Sequence, residues 1–164
     1  MDTIEYTTFD KSNWGAGPWQ EEPDKVQWAD PMTALPCLIV RNHLGALCGY
    51  VGVTQGHCYF GVNHKDVAVA VHGGLSFSDH CQIEGDEAQR VCHIPGPGES
   101  DQVWWLGFDC AHGFDYTPAF DLWHDIPCLS SPTGYAQYRD MDYVKKEVGR
   151  LAAQLAAKVS LHAE

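Results

Sequence analysis

Two histidines and two aspartates at the ends of apolar runs are the residues of this chain best suited to chemistry. The run Val103-Trp-Trp-Leu-Gly-Phe-Asp-Cys-Ala-His-Gly-Phe-Asp115 passes from an aromatic, strand-like pattern to Asp109, Cys110, His112 and Asp115. A second run, Val67-Ala-Val-Ala-Val71, ends at His72-Gly-Gly74. Imidazole and carboxylate are the usual ligands of a catalytic cation, and an open position on such an ion activates water. His72, Asp109, His112 and Asp115 are therefore the expected catalytic cluster. His72, Asp109 and His112, with His57 from a loop, would be the ligands of a divalent metal such as zinc or manganese. The alternative is that both histidines are hydrogen-bonded strand-end residues and that Asp109 accepts turn amides. No His-Glu-x-x-His or paired-cysteine signature is present.

A metal-free variant would use Cys110 as nucleophile with His72 or His112 as base. Cys110 follows Phe108 on an aromatic face, which favours inert burial. Further thiol–imidazole neighbours are His57-Cys58, His80-Cys81 and Cys92-His93, a mixture of which would suit zinc. Ser76 and Ser78 follow the His72-Gly-Gly74 turn, where hydroxyls and amides could meet a phosphate. Tyr138 and Arg139 stand at the start of a helix, with Arg139 as the natural anion clamp and Arg41 as a second candidate. A salt bridge to a nearby acid is the competing reading of Arg139. Trp105, Trp123, Tyr116 and Tyr135 could stack a base, against a default of core packing.

The elements that must position these groups follow from periodicity. Alternation along 67–72 puts Ala68, Ala70 and His72 on one face; along 103–110 it groups Val103, Trp105, Gly107 and Asp109. If the two strands are neighbours, a ligand fits over Ala70 and Gly107. Cys37–Arg41 and Ala46–Val53 read as strands joined by Asn42-His-Leu-Gly45, a hairpin connection. Residues 56–66 read as a loop and 94–101 as a Pro- and Gly-rich turn. Met141, Val144, Val148, Leu151, Leu155 and Val159 recur at steps of three and four after Asp140, a good N-cap. This predicts a helix over 139–160 with Lys145, Lys146, Glu147 and Arg150 on its polar face. Residues 1–36 form a Trp- and Pro-punctuated lead-in whose Trp14, Trp19 and Trp28 cover one edge of the core; 116–138 reads as an ordered cover. The fold class expected is α+β: an antiparallel sheet of about five or six strands with one long C-terminal amphipathic helix packed on a face.

Cys48-Gly-Tyr-Val-Gly-Val53, His72-Gly-Gly-Leu-Ser-Phe-Ser78, Trp104-Trp-Leu-Gly-Phe-Asp-Cys-Ala-His112 and Tyr138-Arg-Asp-Met-Asp-Tyr-Val144 together resemble motifs of a family of small hypothetical proteins of bacteria and tailed phages. Gly17-Pro-Trp19 and Glu22-Pro-Asp24 extend the resemblance, which covers residues 14 to 157. It implies chain organisation and residue choice more than chemistry; a phage context would make counter-defence roles worth considering.

Composition bounds the remainder. A chain of 164 residues with 45 % hydrophobic content is one domain, 1–164, able to bury its own core. There is no internal repeat. Ten basic against 22 acidic residues give a net charge of −12, which disfavours direct nucleic-acid binding and anionic membranes and leaves a basic host protein as a conceivable partner. No apolar run approaches the ~20 residues needed to span a bilayer. Seven cysteines without a Cys-x-x-Cys pair suggest a reduced, cytoplasmic protein. Three functions fit these features. The first is a small hydrolase of a phosphorylated metabolite or signalling nucleotide. The second is a binder that sequesters such a small-molecule ligand, and the third is an acidic inhibitor of a host protein.

Overall fold

A computed structural model describes residues 1–123 and 135–158. Six strands form one antiparallel sheet in the order β1-β2-β3-β4-β6-β5: β1 (Ile4–Tyr6), β2 (Lys25–Ala29), β3 (Pro36–Arg41), β4 (Leu47–Thr54), β5 (Phe77–His80) and β6 (Val103–Asp109). Among the described residues, a short helix α1 (Phe120–Trp123), the long C-terminal helix α2 (Met141–Ala156) and two 3-10 turns, Pro18–Gln20 and His64–Asp66, complete the regular structure. This is the expected α+β fold. Asp140 caps α2 by accepting from Tyr143 N, as its position before the periodic run dictates. Val159 and the rest of the predicted helical tail lie outside the described residues.

Both faces of the sheet are covered, which is why its central strands read as nearly continuous apolar runs. On one face Met141, Val144, Val148, Leu151 and Leu155 of α2 pack on Cys37, Ile39, Val51, Leu106 and Phe108. Gly49 permits that approach: a Cβ there would meet the Phe108 ring and Val148. On the other face Leu38, Val40, Tyr50, Val103 and Trp105 are sealed by Val91 and Cys81 from the 81–102 connection. The alternation expected along β6 holds.

Three expectations are corrected. The lead-in is not merely a cover, because it supplies β1, an edge strand of the sheet, and β2 beside it; β2 is buried at Lys25, Val26 and Gln27 in a row, so no alternation marks it in the sequence. Trp14 and Trp19 pack with Ala119, Tyr116 and Tyr138 in a cluster of their own, whereas Trp28 belongs to β2 and packs against the core under α2. Secondly, Val67–Val71 is not a strand of the sheet. It is tied to α2 instead: Ala70 N donates to Gln154 Oε1, Gln154 Nε2 donates to Ala70 O, and the N–H of His72, which follows the segment, donates to Glu147 Oε2. Helix side chains thus satisfy backbone groups that a sheet neighbour would otherwise pair. Glu147 is consequently buried rather than part of the solvated face. Thirdly, Cys81 and Cys92 are joined by a disulfide, so not every cysteine is a thiol. The pairing of Gln82 N with Val91 O brings them together, a closure that sequence spacing does not announce. No helix among the described residues is long and apolar enough to cross a membrane.

Candidate metal centre

Three of the four expected cluster residues meet. His72 arrives at the end of the segment held along α2, and His112 and Asp115 stand on the loop that leaves β6. Asp115 N donates to His112 O, and Asp115 forms a parallel bridge with Gln137. That bridge carries the following residues, up to Arg139 at the start of α2, to the same place.

Asp115 is the centre of the arrangement and only 2 % exposed. Its Oδ2 lies 2.8 Å from His72 Nε2 and 3.1 Å from His112 Nδ1, and accepts the His112 amide at 3.1 Å. Arg139 Nε donates to Oδ1 at 2.9 Å. Burial works against the charge of this carboxylate, but His72, Arg139 and the His112 amide and ring hold it below the ordinary carboxylate range. The other ring nitrogen of His72, Nδ1, is 2.8 Å from Tyr143 OH. His72 is therefore gripped at both nitrogens, while the His112 side chain remains 28 % exposed. Phe114, an exposed aromatic, stacks on the His112 ring at an interplanar angle of 4°.

Gly73 makes the close approach of the two histidines feasible. Its φ of +65° suits glycine, and a Cβ there would run into the His112 imidazole. Gly73→Ala is expected to cost about 1–3 kcal/mol through strain and overpacking and to shift the His112 ring resonances in NMR. An unchanged melting curve with unmoved His112 signals would contradict this placement.

The other expected site residues fall elsewhere. Asp109 is adjacent to the cluster rather than in it: it accepts from Ser76 Oγ at 2.8 Å and from Ala111 N, and its Oδ1 is 3.9 Å from His112 Nδ1. Among the described residues, Ser76 reaches the site through that bond. Ser78 is turned away and accepts from His64 N. His57 cannot join as a ligand, because Nδ1 accepts from Tyr59 N and Nε2 lies 3.0 Å from Leu155 O near the end of α2. Trp105 is wholly buried in the opposite face and donates its indole N–H to Cys81 Sγ. Tyr138 donates to Glu22 Oε2 and accepts from Arg41 Nη1, so it serves a buried network. Arg41 is no anion clamp either, because Asp24, Gly45, Tyr138, Glu22 and Pro23 occupy its N–H groups. Burial raises the Cys110 thiol far above its usual range, which removes it as a nucleophile. The gap expected over Ala70 and Gly107 is closed, since the Tyr50 ring fills the space beside Gly107. Tyr135 is fully exposed, and the Trp123 side chain lies outside the described residues.

Sequence reasoning missed Tyr143 and Glu147. Their signal was present: Tyr143, Glu147, Arg150 and Gln154 form a polar stripe at helical spacing, and this stripe receives the 70–72 backbone. No protein-family model, curated protein or solved structure matches the chain, so the chemistry of the site rests on its own geometry.

Proposed function

We propose that the chain is a metal-dependent hydrolase in which His72, His112 and Asp115 hold a divalent cation such as zinc or manganese, acting on a small phosphorylated substrate. The supporting observation is the convergence of two imidazole nitrogens and one carboxylate oxygen, all within 4.8 Å of one another and open to solvent at His112. In a tetrahedral site with bonds of roughly 2.0–2.1 Å, ligand atoms stand about 3.4 Å apart. The spacings of 2.8 and 3.1 Å at Asp115 would have to open by about 0.6 and 0.3 Å, and the two imidazole nitrogens, within 4.8 Å of each other, to settle at the same separation. Three protein ligands would leave a position for water, and a zinc ion held there would bring that water's pKa to about 7.

The surrounding residues then take distinct roles. With Nε2 on the metal, His72 gives its Nδ1–H to the Tyr143 hydroxyl, the outer support that fixes a ligand's tautomer and ring orientation. Arg139 is braced by Asp115 and by the face of Tyr143, 4.9 Å from its guanidinium carbon, and presents a partly open cation to a phosphate. Asp109 is assigned proton transfer, with Ser76 orienting it.

A second reading, capture of a nucleotide without turnover, is favoured by one feature: exposed Phe114 beside Arg139, an aromatic face next to a cation. Elemental mass spectrometry on untagged, non-reduced protein separates the two. Near-stoichiometric zinc or manganese in the wild type, absent from His112→Ala, is the expected result and justifies a phosphoester screen. No metal in either protein would end the hydrolase reading and leave capture as the better account.

A further inference from the structure

On the opposite face of the sheet, Cys81, Cys92 and His93 bring two sulfurs and an imidazole nitrogen within 4.8 Å of one another. We propose that these three residues form a second, thiol-gated metal site: closed as a disulfide when oxidised, and binding a thiophilic divalent cation of the zinc class when reduced. The inference is independent of the His72–His112–Asp115 centre, with which it shares no residue.

Four observations carry it. First, His93 Nδ1 lies 3.9 Å from Cys81 Sγ, although a disulfide sulfur has little need of an imidazole. The resulting set of two sulfurs and one nitrogen is a familiar zinc donor set. Second, the Trp105 indole N–H donates to the same Cys81 sulfur at 3.4 Å. An N–H aimed at sulfur is the outer support that stabilises a ligating thiolate. Third, the ligands are held in place by bonds other than the disulfide. Lys25 Nζ donates to Cys92 O at 2.8 Å, and the Gln27 side chain both accepts from Ile94 N and donates to Ile94 O. These two β2 side chains clamp the chain on either side of His93, so opening the S–S bond need not scatter the donors. Fourth, both cysteines are only part-buried and line a cleft of about 460 Å³ together with His80, Asp101 and Gln102, which admits a reductant to the sulfurs, while His93 is buried.

The chemistry balances with a dithiol reductant. Two electrons and two protons pass to the Cys81–Cys92 bond, giving two thiols, while the reductant becomes its own disulfide. Binding the cation then displaces both thiol protons and leaves two thiolates and the neutral imidazole as ligands.

Cobalt(II) is the probe, because its sulfur-to-metal charge-transfer absorption reports thiolate ligation alone. The titration is made on the full chain carrying Cys58→Ser, which removes the exposed free thiol. Reduced protein is expected to bind one cobalt with this absorption, and oxidised protein to show none. Cys92→Ser should abolish the band and His93→Ala should weaken binding at least ~10-fold. Absence of the band after reduction, or its survival in Cys92→Ser, would overturn the proposal. Should Cys92→Ser fail to fold, the comparison of reduced with oxidised parent protein decides alone, since, once the dithiol is removed without air before cobalt is added, those samples differ only in the disulfide. Cobalt bound to oxidised protein without the band reports the His72 centre instead, so the failure of one site is read apart from the failure of the other.

Discussion

Asp115→Asn is expected to abolish metal binding and any hydrolysis together while leaving a folded protein. Of the three proposed ligands it is the carboxylate that faces both imidazoles and Arg139. An amide of the same shape can offer one oxygen but must turn an N–H₂ group toward a set of donors. The cost to the metal-free protein is about 1.5–3 kcal/mol, the worth of hydrogen bonds to a charged acceptor. The diagnostic result lies in the response to added metal. A ligand that binds only the folded state at a hundredfold excess over its Kd stabilises by about 2.7 kcal/mol. The wild type should show this rise in melting temperature with zinc or manganese, and Asp115→Asn should show none. Equal metal-induced stabilisation of the two proteins would mean that the His72–Asp115–His112 cluster is held together for folding alone.

The second large effect lies at Asp24, away from the candidate centre. Its Oδ1 takes Lys11 Nζ and Arg41 Nε, both at 2.7 Å, and its Oδ2 takes the amides of Thr8 and Phe9 at 2.7 and 2.9 Å. The residue is 1 % exposed and ties the segment after β1 to β3. Burial opposes its charge, but Lys11, the two amides and Arg41 outweigh that and hold the carboxyl below its ordinary 3.8. Removing the charge leaves Lys11 and Arg41 buried without it, so Asp24→Asn should cost about 3–5 kcal/mol, seen as a lower urea midpoint at unchanged slope. The sign of the pH dependence follows from the direction of the shift. Because the folded value lies below the unfolded one, this stabilisation is full above about pH 4 and disappears as pH falls through the folded value. Asp24→Asn should therefore lose less stability than the wild type on acidification below that point. A variant within about 1 kcal/mol of the wild type, or equally acid-sensitive, would show that Glu22, Tyr138 and the Gly45 and Pro23 carbonyls suffice to hold Arg41.

The parts of the fold that were legible in the sequence were those governed by local periodicity. The steps of three and four from Met141 to Leu155, the Asp140 cap, the Asn42–Gly45 hairpin and the alternation along β6 depend on neighbours a few residues apart. The errors came where long-range partners override that pattern. Val67–Val71 looks like a strand because its side chains alternate, yet the backbone of Ala70 and of the following His72 finds Gln154 and Glu147 on a helix 84 and 75 residues later. Glu147 looks solvated because it stands among Lys145, Lys146 and Arg150, and it is buried because the His72 amide needs an acceptor.

The candidate centre divides along the same line. The sequence by itself determined which chemistry was on offer: imidazoles and carboxylates delivered where apolar runs stop, an acidic surface, and one amphipathic helix to bury a sheet. Only the tertiary structure decided which of those groups meet. It joined His72 to His112 and Asp115 across Gly73, sent His57 to the end of α2, buried Trp105 behind a disulfide, and spent Arg41 and Tyr138 on Asp24 and Glu22. The physical reason is that ligand geometry is set by contacts between residues far apart in the chain, whose free energies depend on burial and on partners that no local spacing encodes.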